Sequence, residues 1–325
     1  MLRPICLFTL VSLFSGPLRA IVVASGDPSS SVVAYNQVVN GVNLNGVVEL
    51  ITSSGIGCSG SLLSDGYSIL TAGHCITSSY GSSVPSSVTV YFPGSGGPVA
   101  DTATTYFVDP LWTGNSTQGN DLAILRLNEA APSSATRYSL YTGFFITSPI
   151  LLAGYGQTGT GTTGASGGFG TLRQGQNRYD ALGAAVFTGW SNNMLMGDFD
   201  NGTTTNNALG STDLDIPNEV DISFGDSGGP SFYLGQIIGV HDLIACSSAT
   251  DSGPCTVPPS VSTSDSSYFG QLFADTSVFA ADTSLPANGW WIQSEEVPEP
   301  ASCSLVLLGL AVAGFLGSRP GRRPS

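Results

Sequence analysis

The sequence has no lysine and only two histidines among its 325 residues. Charged residues make up 10% of it, and five of the nine arginines fall within the first 20 or the last seven positions. Between residues 21 and 296, four arginines face 22 acids, a net charge of −18. A surface of that sign repels nucleic acid and anionic membranes, so neither is an expected partner of the folded body. Two histidines, and six cysteines with no C-x-x-C pair, also exclude the common zinc frameworks. Long helical periodicity and internal repeats are missing. Instead, 42 glycines and many Ser/Thr clusters cut the chain into short pieces of alternating polarity, which favours an all-β architecture. The content of 41% hydrophobic residues, with 15 Phe, 11 Tyr and 4 Trp, is enough for a substantial core.

Both ends differ from the body. Residues 1–20 combine Arg3, an apolar run from Ile5 to Phe14, the breakers Gly16 and Pro17, and Ala20 at a cleavage position. They read as a secretory leader cut by signal peptidase, being too short for a membrane span. Residues 21–45 read as an N-terminal extension, 46–285 as the folded domain, and 286–296 as a polar, proline-bearing linker. With Cys6 in the leader and Cys303 in the tail, an exported body keeps Cys58, Cys75, Cys246 and Cys255. Export permits disulfides, and four cysteines allow three pairings.

Chemistry is concentrated in three segments. Gly225-Asp226-Ser227-Gly228-Gly229-Pro230 sets a serine hydroxyl among small residues. A serine is a poor nucleophile until a base takes its proton and a third group orients that base. His74 in Thr71-Ala72-Gly73-His74-Cys75 supplies a base. Asp121 opens the apolar stretch Asp121-Leu122-Ala123-Ile124-Leu125-Arg126-Leu127 and supplies an orienting carboxylate.

These segments, in the order His, Asp, Ser, resemble the three motifs of the trypsin and chymotrypsin family of serine proteases over roughly residues 46–245. The resemblance implies a catalytic triad of His74, Asp121 and Ser227, an oxyanion hole from the backbone N–H groups of Gly225 and Ser227, and a disulfide from Cys58 to Cys75. Cys246 and Cys255 are left as a local pair. It implies an all-β fold of two antiparallel six-stranded barrels with the site between them, and a serine endopeptidase acting on protein or peptide substrates with no cofactor. Strand-like runs fit this plan at Gly46 to Thr52, Gly57 to Ser64, Tyr67 to Thr71, Ser87 to Phe92, Ala103 to Val108 and Asp121 to Leu127. Ile150 to Tyr155, Ala184 to Phe187, Gly229 to Leu234 and Gln236 to His241 fit a second barrel, with Thr158 to Gly170 as a mobile loop. Alternatively, the same fold serves as a surface binding or matrix protein with weak turnover.

The substrate pocket reads two ways. Asp221, six residues before Ser227, matches the base of the primary specificity pocket and would attract arginine or lysine. His241 resembles the histidine of glutamate-specific members and would favour an acidic side chain. Ser223 stands where the family has a cysteine, and Asp242 and Ile244 replace an expected serine and glycine. Family zymogens are activated when a cut frees an Ile-Val terminus that pairs with the aspartate before the serine, here Asp226. A leader cut after Ala20 would release Ile21-Val22 directly, and a plain extension is the other reading. The loop Asp198 to Gly202 lacks complete EF-hand spacing, so no metal is expected.

Val297-Pro298-Glu299-Pro300, an apolar run from Ser304 to Gly317 and the basic end Arg319, Arg322 and Arg323 resemble the PEP-CTERM sorting signal of Gram-negative bacteria. That resemblance, over residues 297–325, implies processing by an exosortase, transient membrane association, and release or attachment at the cell surface or extracellular matrix. An uncut tail anchor is the alternative.

Overall fold

The computed structural model describes residues 21–23, 28–143, 147–160, 164–165, 167–199, 209, 219–247, 252–254 and 277–296. The leader, the PEP-CTERM-like tail and Cys255 lie outside the described residues, as do Asp200 to Gly202.

Three short strands come first: β1 (Ile21–Val23), β2 (Val38–Val39) and β3 (Val42–Asn43). β4 (Val47–Thr52), β5 (Gly57–Leu62), β6 (Ser68–Thr71), β7 (Val88–Phe92), β8 (Val99–Val108) and β9 (Ala123–Leu127) then close a barrel in the order β4-β5-β6-β9-β8-β7. Alternation explains the closure. In β7, Val88, Val90 and Phe92 are buried while Thr89 and Tyr91 are half-buried, the period of two that lets one strand face fill a barrel. Leu50, Leu62, Ile69, Leu125 and Leu127 complete that interior.

The second half contains β10 (Pro149–Gly154), β11 (Thr158–Thr160), β12 (Gly164–Ala165), β13 (Arg173–Arg178), β14 (Ala181–Leu182), β15 (Met194–Asp198), β16 (Val220–Asp221), β17 (Pro230–Tyr233), β18 (Gln236–Ser247), β19 (Ser252–Pro254) and β20 (Ser277–Ser284). Seven of these follow the order β13-β10-β17-β18-β20-β15-β14, with β19 on the flank of β18. This sheet curls into a half-barrel that does not close among the described residues.

Several elements differ from the sequence expectations. Of Ala184 to Phe187, expected as a strand, the first three lie in a helical turn over Gly183–Val186 and Phe187 caps it. The expected mobile loop contributes β11 and β12. β13 carries the polar string Arg-Gln-Gly-Gln-Asn-Arg, with Arg173 and Asn177 among its buried positions. Asn177 is tolerated there because its amide donates to the carbonyls of Asp198 and Val220 at 3.0 and 2.9 Å. Residues 286–296, expected as a linker, form most of a helix over Leu285–Glu295. Proline suits its first turn, where the missing N–H has no partner to lose. Leu285, Trp291 and Ile292 sink into the core.

Two features position the site. β1 is an interior strand: Val22 registers antiparallel with Asp221, and Ile21 registers parallel with Thr158. In addition, the ladder between β18 and β20 slips, so that His241 faces Asp282 and Leu243 faces Ala281, leaving Asp242 at the irregularity.

Candidate active site

His74 sits in a 3-10 turn, Gly73–Cys75, immediately after β6. The disulfide from Cys75 to Cys58 on β5, with Cα atoms 6.3 Å apart, fixes that turn to the barrel. Asp121 is fully buried just ahead of β9. It receives the His74 backbone N–H at 2.7 Å on one oxygen and faces His74 Nδ1 at 2.5 Å with the other. Gly73 permits this approach, because a Cβ there would lie 2.9 Å from Asp121 Oδ1. Burial pushes the Asp121 carboxyl up, but the charge and hydrogen bonds of His74 outweigh it and hold the carboxyl below its usual range. Burial lowers the His74 imidazole, and Asp121 more than reverses this.

The serine turn is fastened to the same place. The backbone N–H of Ser59 donates to the Ser227 carbonyl at 2.8 Å, and Cys75 Sγ lies 3.6 Å from that oxygen. Gly228 (φ +81°) presses on the strand leading to His74, where a Cβ would meet Thr71 Oγ1 at 2.0 Å. Among the described residues, the Ser227 hydroxyl makes no hydrogen bond to the His74 ring. Catalytic bonds of this kind are often long in unliganded sites and tighten in the complex.

Gly225 (φ +92°) takes a conformation open mainly to glycine. Its carbonyl is drawn away by the Ser59 hydroxyl at 2.8 Å, while that hydroxyl accepts the Tyr155 N–H at 2.9 Å. The amides of Gly225 and Ser227 donate to no protein acceptor among the described residues. Ser59 is a residue the sequence reading missed, since a serine within Gly-Cys-Ser-Gly-Ser carries no distinguishing signal. A cavity of about 230 Å³ adjoins the turn, lined in part by Glu49, Tyr155, Phe169, Cys58 and Gly225.

Behind the turn, Asp226 is fully buried and accepts the Gly156 N–H at 2.8 Å and the Ser223 N–H at 2.8 Å. The Ser223 hydroxyl adds a bond at 3.0 Å, so hydrogen bonds brace this loop where a cysteine was expected. Burial, opposed by His241 and these bonds, places Asp226 at about 6. Asp221 is 3% exposed, and burial, with Asp282 and Asp226 adding to it and the Ile222 N–H opposing, pushes it to about 8. His241 is 0% exposed, with Nε2 3.2 Å from the Ser231 hydroxyl, which itself donates to Asp282 at 2.5 Å. Both expected pocket residues therefore lie beneath the surface. Cys246 falls on β18, but its pairing lies outside the described residues.

Asp242 is the other residue of note. It is buried, accepts from the Thr283 hydroxyl at 3.1 Å, and brings its carboxyl close to that of Asp121. Donor atoms of His74, Asp121 and Asp242 lie within 4.8 Å of one another, as do those of Cys58, His74 and Cys75. Neither trio makes a convincing metal centre. The two sulfurs are consumed by the disulfide, and His74 and Asp121 already satisfy each other.

Comparison with known proteins agrees with this geometry. The Trypsin family model matches residues 39–263, and the PEP-CTERM protein-sorting motif matches residues 296–323. No curated protein matches the sequence significantly. Among solved structures, the chain is similar to neuropsin, a serine protease expressed in the limbic system of mouse brain, at 17% identity and a TM-score of 0.53. The match covers 77% of this chain and 94% of that one, a likeness of fold. The sorting motif indicates export to the cell surface or extracellular space.

Proposed function

Because the chain belongs to the trypsin family, we propose that it is an exported serine endopeptidase that hydrolyses peptide bonds through an acyl-enzyme on Ser227. The observation that carries this reading is the double hold of buried Asp121 on His74, through the ring at 2.5 Å and the backbone at 2.7 Å. That hold fixes the imidazole so that Nδ1 carries a proton and Nε2 is free to take one from Ser227. His74 then returns the proton to the leaving amine. The amides of Gly225 and Ser227 receive the oxyanion, each worth about 2.7–4 kcal/mol of transition-state stabilisation in such a site. This chemistry calls for no cofactor.

For the pocket, Asp282 and Asp226 both raise the Asp221 carboxyl, and His241 lowers that of Asp226. An acidic substrate side chain would have to approach a group of buried acids, whereas an arginine or lysine would draw the proton off Asp221 and pair with its anion. The basic preference is therefore the reading we adopt, with Asp221 as its partner.

The leader is the proposed activating segment. Ile21 is fully buried, its carbonyl accepts the Thr158 hydroxyl at 2.6 Å, and its φ is +63°, a conformation that a β-branched residue rarely adopts. Such strain costs of order 1–3 kcal/mol. Cutting the Ala20–Ile21 bond removes that torsion and creates an α-ammonium at the start of a strand that registers with Asp221 through Val22. At the other end, the sorting motif points to an exosortase-type enzyme that trims the tail after a transient stay in the membrane.

The test is a peptide library exposed to the exported protein and to its Ser227→Ala variant, with cut sites read by mass spectrometry. Cuts after arginine or lysine that vanish in the variant are expected. Cuts after glutamate would move the pocket role to His241. Absence of Ser227-dependent cutting, together with no fluorophosphonate labelling of Ser227, would overturn the enzyme in favour of a surface binding protein.

A further inference from the structure

A β-bulge re-aims the side chain of its extra residue. The slip in the ladder between β18 and β20 does this at Asp242: His241 faces Ser231, while Asp242 brings a carboxyl oxygen within 4.8 Å of Asp121. Asp242 is 5% exposed. Its Oδ2 accepts from Thr283, and its buried Oδ1 accepts no hydrogen bond among the described residues.

Two ionised carboxylates can only accept, so they cannot bond to each other, and like charges sharing a dry site force one of them to keep a proton. The donors decide which. Asp121 has the His74 ring and backbone N–H, with the Ser116 hydroxyl at 3.4 Å, all favouring its anion. Among the described residues Asp242 has hydroxyl donors alone, that of Thr283 at 3.1 Å and a share in that of Ser116, whose one proton serves either carboxyl.

We propose that Asp242 is a neutral carboxylic acid that donates from Oδ1 to the Asp121 carboxylate and thereby positions the His74–Asp121 pair. The role rests on the peptidase reading above, whereas the location of the proton does not. Burial and the Asp121 charge both push Asp242 well above the usual carboxylate range, in the direction the proposal requires. The titratable groups it faces are Asp121 and, beyond it, His74. Its other neighbours from packed elements are the hydroxyls of Ser116 and Thr283. A neutral donor here keeps Asp121 from turning away from the imidazole. An ionised Asp242 would instead add a second negative charge beside His74 and raise the imidazole by about a pH unit or more.

The experiment is an NMR titration of the two histidine rings in the Ser227→Ala protein, with His74 assigned by its absence in His74→Ala. The proposal expects Asp242→Asn, which is uncharged and keeps a donor, to leave the His74 midpoint within roughly 0.3 unit. A fall of about one unit or more would show that Asp242 carries a charge and would overturn it. In the Ser227 enzyme, Asp242→Leu is expected to lower kcat at least about tenfold with KM little changed, and Asn to recover most of that loss. Equal losses in Asn and Leu would also overturn the proposal. The titration needs no turnover, so a protein without peptidase activity still answers the question of the proton.

Discussion

Replacing Asp221 by asparagine should make the protein more stable, and only above acid pH. In an unfolded chain an aspartate titrates near 3.9, whereas burial, with Asp282 and Asp226 adding to it, carries Asp221 to about 8 in the folded protein. Between those values the native state keeps a proton that the unfolded state has released. Stability therefore falls as pH rises through the window and is unaffected below it. Roughly four units at about 1.4 kcal/mol each make the loss on the order of 5 kcal/mol by pH 8, comparable with the whole stability of a marginal domain. Asparagine has nearly the same shape and no such loss. Urea unfolding of Asp221→Asn and its parent, both in a Ser227→Ala background to prevent self-digestion, should give similar stabilities at pH 4.5. The asparagine variant should gain several kcal/mol by pH 8. The other buried acids are common to both proteins and cancel in the difference. Parallel pH profiles would refute the reasoning.

Ser59→Ala should lower kcat about tenfold or more with KM little changed, because it releases the Gly225 carbonyl and the Tyr155 N–H together; steady-state kinetics check it. Asn288→Ala leaves the carbonyls of Gly119 and Ser284 without their amide donor, so denaturant unfolding should show a loss of about 1–3 kcal/mol. Replacing Cys58 and Cys75 together by serine opens a bridge spanning 17 residues, and about 3 kcal/mol of stability should disappear in the same assay. Because Asp121 raises His74, kcat/KM should begin to fall on the acid side at a pH above 6.5, and a pH–rate profile reads this directly.

The pairing of His74 with Asp121 is legible in the sequence because each stands in a motif that resembles the family's and lies beside a strand of apolar residues. The first barrel is legible for the same reason, with β7 reading as inward Val88, Val90 and Phe92. The alternation fails where the interior is polar. β13 buries Arg173 and Asn177, and β20 buries Asp282 and Thr283, so neither looks like a strand until its hydrogen-bonding partners are in place. Leu285–Glu295 escapes because its apolar face is narrow and its Pro286 and Asn288-Gly289 suggest a linker. Asp242 stands out only as an odd residue on a substrate-binding strand. Its approach to Asp121 depends on a bulge, and a bulge leaves no mark on the polarity pattern.

The seat of Ile21 has a practical consequence for anyone producing this protein. Ile21 is 0% exposed and paired on both sides, by Thr158 in β11 and through Val22 by Asp221 in β16. An affinity tag or linker fused directly ahead of Ile21 would have to leave from a position without solvent access. On the proposed leader cut after Ala20, it would either pull β1 out of the sheet or keep the new α-ammonium from forming. Recombinant material with a retained N-terminal tag would therefore be a poor sample of the exported molecule, and an inactive result from it would report on the tag.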